Sequence, residues 1–69
     1  MSRKYHSLLV RESKTEPWCI HFGDWELETV KQERDDIVDG EQYAKGNTKI
    51  ITTGGTQAHI DAEVAKLNA

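Results

Sequence analysis

Gly54, Gly55 and Thr56 stand between a β-rich segment and a helical segment, and they are the first candidates for binding chemistry. Backbone N–H groups at a helix N-terminus converge on anions, so this order of strand, glycine pair and helix is typical of phosphate loops. A nucleotide P-loop also needs Lys-Ser/Thr after its last glycine, whereas Gln57 follows Thr56 here. The main interpretation is a strand-to-helix turn, and an anion-binding site at these three residues is the alternative.

A thiol and an imidazole are spaced two residues apart at Cys19 and His21, and His6 lies in the preceding predicted strand. Three such groups at one place could hold zinc, and a Cys–His pair with a third orienting group could act as a nucleophile. Neither a C-x-x-C pair nor a spaced His pair accompanies them. We therefore predict ordinary strand residues, with no metal, no cofactor and no catalytic residue, so the chain is not expected to be an enzyme.

Acidic residues are concentrated in residues 24–41, where eight acids and two bases give −6 in a chain of net charge −3. Acids along a rigid helix can imitate a phosphate backbone and attract a basic protein groove, whereas a solvated helix surface is the alternative interpretation. The candidate partner-binding residues are Glu28, Asp35, Asp36, Asp39 and Trp25.

Two roles can be predicted for Trp25. An exposed tryptophan is a favoured binding anchor. The second, favoured interpretation is that Trp25 folds back over Trp18 or Phe22, because a small core needs every large side chain.

The basic residues argue against direct binding to nucleic acid, since they form no stripe and gather only near the N-terminus, at Arg3, Lys4, Arg11 and Lys14. No apolar run approaches the ~18 residues of a membrane span, and the apolar run at residues 8–10 is too short for a signal peptide. A lone Cys19 is typical of a reducing compartment. These features predict a cytoplasmic protein that does not contact membranes.

Two strands are predicted at residues 5–11 and 18–22, joined as an antiparallel hairpin. Leu8, Leu9 and Val10 are consecutive, so this strand should lie mid-sheet or be covered on both faces. In the second strand Trp18, Ile20 and Phe22 alternate with polar residues and should face the first helix.

A helix is predicted at residues 25–38, with Asp24 as its N-cap and Gly40 as the C′ residue that ends it. Leu27, Val30, Ile37 and Val38 should form its buried arc, with the four candidate acids opposite. A loop at residues 41–47 leads to a third strand at residues 48–53. Thr56 should cap a final helix with an apolar stripe of Ile60, Val64 and Leu67.

The whole chain therefore predicts one small α+β domain, residues 1–69, with the order β-β-α-β-α and a three-stranded, mainly antiparallel sheet. The last helix should pack on the second face of the sheet or at an edge. A three-stranded sheet leaves its edges open, so a homodimer is a candidate form of the protein.

The run PWCIHFGDWELETVKQERDD resembles short phage- and prophage-encoded proteins of unknown function, in which a Trp/Phe strand ends in Phe-Gly-Asp and an acidic helix follows. The resemblance covers residues 5–53. It implies a phage accessory protein that binds a host protein in the host cytoplasm rather than catalysing a reaction. The alternatives are a structural subunit that self-assembles and a small phosphate- or nucleotide-binding unit at Gly54, Gly55 and Thr56.

Overall fold

The computed structural model describes residues 4–69, so Arg3 lies outside the described residues. A short 3₁₀ turn, Lys45–Asn47, precedes the third strand. The elements are β1 Tyr5–Val10, β2 Cys19–Asp24, α1 Leu27–Asp39, β3 Thr48–Thr53 and α2 Gln57–Leu67. The chain is therefore an α+β fold with the order β-β-α-β-α, as predicted.

The sheet has the order β2-β1-β3, and both neighbours run antiparallel to β1. Leu8 and Leu9 on the central strand are both fully buried, although adjacent strand residues point to opposite faces. Both faces of β1 are therefore covered, which confirms the prediction from the run of three apolar residues.

The first face of the sheet is covered by α1. Val30 and Ile37 of the helix are buried against Leu8 and Val10, with Phe22 and several other apolar side chains packed at the margin. Fully burying an aliphatic side chain stabilises a fold by about 1.5–3 kcal/mol, so this small cluster fixes α1 on the sheet. Three residues of the predicted inner arc, Val30, Ile37 and Val38, are confirmed in this packing, whereas Leu27 is only half-buried and lies outside the cluster.

The second strand departs from the predicted alternation because it contains a β-bulge. Leu8 pairs with Phe22 and Leu9 with Ile20, so His21 is the extra residue. An extra residue reverses the face of everything beyond it. Ile20 therefore shares the face of Leu9, away from α1, and 46% of its surface is exposed.

Consequently, the prediction that Trp18, Ile20 and Phe22 lie together under α1 is wrong. Only Phe22 packs against the cluster beneath α1. Trp18 precedes β2, and its ring contacts the Arg11 guanidinium, which lies 4.4 Å from the ring centroid.

The second face of the sheet is covered by α2, which packs on its own chain with Ile60 buried. The Asn68 side chain at the end of this helix accepts a hydrogen bond from the Trp18 backbone N–H (2.7 Å) and donates one to the Trp18 carbonyl (3.1 Å). Because Trp18 precedes β2 whereas α2 starts just after β3, the helix crosses the sheet from one edge strand to the other.

The first helix begins two residues later than predicted, and Asp24 is not its N-cap. Asp24 is the last residue of β2, and its Oδ1 accepts a hydrogen bond from the N–H of Glu26 at 2.8 Å. Glu26 holds the N-cap position in extended geometry, without a side-chain capping bond. Trp25 therefore lies between strand and helix rather than in the first helical turn.

The helix also ends one residue later than predicted, so Gly40 is the C-cap and not the C′ residue. Glu41 takes the left-handed position, with φ of 59°. The N–H of Glu41 donates to the Val38 carbonyl (3.0 Å), and the N–H of Gln42 donates to the Ile37 carbonyl (2.9 Å). These bonds form a Schellman motif, in which glycine is the usual residue at C′.

Candidate protein-docking surface

The acidic face of α1, defined by Glu28, Asp35, Asp36 and Asp39, is exposed at all four residues. Asp35 and Asp39 follow Glu28 by seven and eleven residues, about two and three helical turns, so these three carboxylates form one line. The line is about 16 Å long at 1.5 Å per residue. Because the opposite side of α1 is buried, the acidic face has a fixed position on the domain.

Nearby cations neutralise only part of the acidic face. The Lys31 ammonium lies 3.7 Å from Glu28, and the Arg34 guanidinium lies 3.2 Å from Asp35. Asp36 accepts a hydrogen bond from the neutral amide of Gln32 at 3.1 Å.

Asp36 and Asp39 have no ion-pair partner within residues 4–69. The two exposed ion pairs, Lys31–Glu28 and Arg34–Asp35, contribute only about 0–1 kcal/mol each. A better-placed cation from a partner could therefore replace Lys31 or Arg34 at little cost.

Trp25 does not belong to the same surface. Its ring packs edge-on against Tyr5, with centroids 5.0 Å apart, and covers Gly55 at the start of α2. Tyr5 alternates with Ser7 and Leu9 on β1, so it belongs to the sheet face opposite α1. The acids and Trp25, predicted together as partner-binding residues, are therefore divided between two parts of the molecule.

Trp25 fits neither an exposed binding anchor nor a fully packed ring. It is 41% exposed, yet the ring is held by Tyr5 and the backbone of Gly55. Neither Trp18 nor Phe22 is its ring partner among the aromatic contacts of residues 4–69.

Two polar groups of the candidate anion site are already engaged within the chain. The N–H of Gly54 donates to His59 Nδ1 at 3.0 Å, and the Thr56 hydroxyl accepts from the N–H of His59 at 3.3 Å. Thr56 is the N-cap of α2, which confirms the predicted cap. Gly55 lies beneath Trp25, so a side chain at this position would collide with the indole.

Cys19, His21 and His6 do not converge. His6 bonds to the Thr52 hydroxyl at 2.9 Å, whereas the His21 imidazole lies 3.4 Å from Glu33 on α1. Cys19 pairs with Val10 at the opposite end of the hairpin from His6. Within residues 4–69, no group of three or more His, Cys, Asp or Glu side chains is arranged to hold a metal ion.

Sequence reasoning missed two features of the surface. Ile20 is predicted to face α1, but the bulge at His21 turns it outward, and no Gly, Pro or Asn occupies the bulge position itself. Asn68 was not identified, although an amide one residue beyond a helix can satisfy a free backbone N–H and C=O elsewhere in the chain.

None of the helices within residues 4–69 has the length and apolar character needed to cross a membrane. Comparisons of the chain with protein-family models, curated proteins and solved structures found no match.

Proposed function

We propose that this chain is a small, non-enzymatic interaction protein that docks on a partner protein through the acidic face of α1. The observation that carries the proposal is the exposure of all four acids on a helix whose other side is buried. A fixed row of carboxylates presents its charge without first ordering a flexible segment, which lowers the cost of binding.

The partner in this proposal is a protein with a basic groove or patch. Complementary charge steers such a partner to the acidic face and fixes its orientation more than it raises affinity. The phage-like run at residues 17–36 supports a host protein as the partner, with the chain acting in the host cytoplasm. Trp25 is not required in this proposal, because it lies over Gly55 near α2.

The test compares two variants of equal charge. Replacing the four acids by their amides (E28Q, D35N, D36N and D39N) removes four negative charges from α1. The control replaces the four acids outside residues 24–41 (E12Q, E16Q, D61N and E63Q), so both variants have net charge +1 instead of −3. Capture of partners from host lysate is then compared at low and raised salt.

The proposal expects a salt-sensitive partner that binds the wild type and the control but not the α1 variant. Salt at 0.1 M screens exposed charges beyond ~10 Å, so raised salt should release that partner. Equal capture by the two variants would show that net charge, rather than the acidic face of α1, controls binding.

A further inference from the structure

Arg11 and Trp18 face each other at the base of the hairpin loop, because Arg11 directly follows β1 and Trp18 directly precedes β2. The pairing of Val10 with Cys19 sets this register. The guanidinium carbon of Arg11 lies 4.4 Å from the centroid of the Trp18 ring. A guanidinium placed over an indole in this way is held by cation–π attraction.

Two asparagines fix this stacked pair to the rest of the fold. The Arg11 Nε–H donates to Asn47 Oδ1 at 3.1 Å, and the Arg11 backbone N–H donates to the Asn47 carbonyl at 3.0 Å. The Asn68 side chain bonds to both the N–H and the C=O of Trp18. Both members of the pair are therefore positioned before any ligand arrives, which lowers the cost of binding.

Most of the donors on the Arg11 guanidinium are unused. A guanidinium carries five N–H donors, and Nε–H is the one that reaches Asn47. Within residues 4–69, no hydrogen bond or ion pair engages the others, whereas Arg34 pairs with Asp35. Arg11 is also half-buried, so its charge is less screened than that of a fully exposed arginine.

Arg11 lines an open cleft of about 270 Å³ between the hairpin loop and the end of α2. Lys14, Glu16 and Trp18 line the hairpin side, and Leu67 lies on the helix side. Lys14 and Glu16 have no ion-pair partner in the described part of the chain. The three charged side chains of the cleft are thus not neutralised by direct pairing.

The neutral polar side chains of the cleft are already engaged. The Thr15 hydroxyl lies 3.1 Å from the Ser13 hydroxyl, and the Asn68 amide is occupied by the Trp18 backbone. The charged groups therefore decide what the cleft can bind. Two cations and one carboxylate give this lining a net charge of +1.

We propose that this cleft binds the carboxylate group of a small ligand, with both carboxylate oxygens on the unused donors of Arg11. The planar fork of a guanidinium matches a carboxylate in a bidentate manner. Lys14 adds attraction at the rim, whereas Glu16 repels. A net charge of +1 suits a monoanion better than a phosphate dianion, and the negative end of the α2 dipole beside Leu67 also disfavours a second negative charge.

The test titrates sodium acetate into the nitrogen-15-labelled chain at constant ionic strength. Nuclear magnetic resonance follows the Arg11 Nε–H and the Trp18 indole N–H. Arg11→Lys keeps the charge but loses the fork, and Lys14→Gln and Glu16→Gln change the rim. Lys31→Gln, on the helix that covers the other face of the sheet, is the control for Lys14→Gln because it removes the same charge. Circular dichroism checks the folding of each variant.

The proposal expects saturable shifts of both signals in the wild type and in Lys31→Gln. Arg11→Lys should bind acetate about tenfold more weakly, since it loses hydrogen bonds to a charged group. Exposed charges have smaller effects, so Lys14→Gln should weaken binding about twofold and Glu16→Gln should strengthen it about twofold.

No saturable shift up to tens of millimolar acetate would overturn the proposal, as would equal binding by Arg11→Lys and the wild type. If Arg11→Lys does not fold, the opposite effects of the two exposed loop variants still decide, and equal affinities of Lys14→Gln and Glu16→Gln would contradict the site. Inorganic phosphate is titrated in the same way above its second pKa. Tighter binding of phosphate than of acetate would overturn the assignment to a carboxylate.

Discussion

The indole of Trp25 lies directly over Gly55, so that a methyl group at position 55 would overlap the ring. The hydroxyl end of Tyr5 lies over Gly23 in the same way, and the two aromatic rings contact each other at 5.0 Å. One aromatic pair therefore links β1, the start of α1 and the start of α2. Gly55 therefore makes room for the indole of Trp25, a packing role that is separate from anion binding.

Gly55→Ala is expected to destabilise the fold by about 1–3 kcal/mol, because the indole must move or distort its surroundings. Gly46→Ala is the matched control, since nothing lies within 4 Å of a Cβ at that position. Urea unfolding measures both free energies. Equal stability of the two variants would contradict the contact between Trp25 and Gly55.

Glu41→Gly is expected to stabilise the protein by about 1 kcal/mol, because Glu41 holds a left-handed conformation that costs non-glycine residues this much. Glu41→Gln removes the charge but keeps the Cβ, so its free energy of unfolding should stay near that of the wild type. Thermal or urea unfolding compares the two variants. An equal gain in both would assign the effect to charge instead of backbone conformation.

Removing either of two buried hydroxyls should change the free energy of unfolding, but in opposite directions. Ser7 Oγ has no hydrogen-bond partner within residues 4–69, so Ser7→Ala should stabilise the fold by about 1–3 kcal/mol. The Thr53 hydroxyl donates to the Gly54 carbonyl at 2.7 Å, so Thr53→Val should cost about 0.5–1.5 kcal/mol. Urea unfolding of both variants tests the pair, and a loss of stability in Ser7→Ala would contradict the assignment.

Asn68→Ala should free the end of α2 from the hairpin, because it removes both hydrogen bonds to the Trp18 backbone. The expected cost is about 0.5–1.5 kcal/mol for each bond, at the low end because the site is exposed. Amide exchange should accelerate at Trp18 and in the last turn of α2 but not in β3. Uniform acceleration would indicate global destabilisation instead.

The sequence predicted the parts of the fold that depend on local pattern. The apolar run at Leu8 and Leu9 indicated a strand covered on both faces, and Thr56 marked the start of α2. The wrong predictions concern residues whose positions are set by tertiary contacts. No Gly, Pro or Asn stands at the bulge residue His21 to indicate the bulge. Trp25 lies between β2 and α1, where neither a strand pattern nor a helix pattern predicts its contact with Tyr5.

The candidate docking site was predictable only in part. Helical spacing predicts Glu28, Asp35, Asp36 and Asp39 opposite the buried arc, and the exposure of these residues agrees with it. The grouping of Trp25 with them was not supported, because adjacency in sequence does not decide which face of a sheet a side chain reaches. Which two strands form the edges of the sheet became evident only from the strand order.

The most direct test of the docking account is capture of a partner by the wild type, by the α1 variant lacking four acids and by the equally charged control. The account predicts a salt-sensitive protein partner that is retained by the wild type and the control and lost by the α1 variant. Retention of that partner by the α1 variant, at the level seen for the control, would contradict docking through the acidic face of α1.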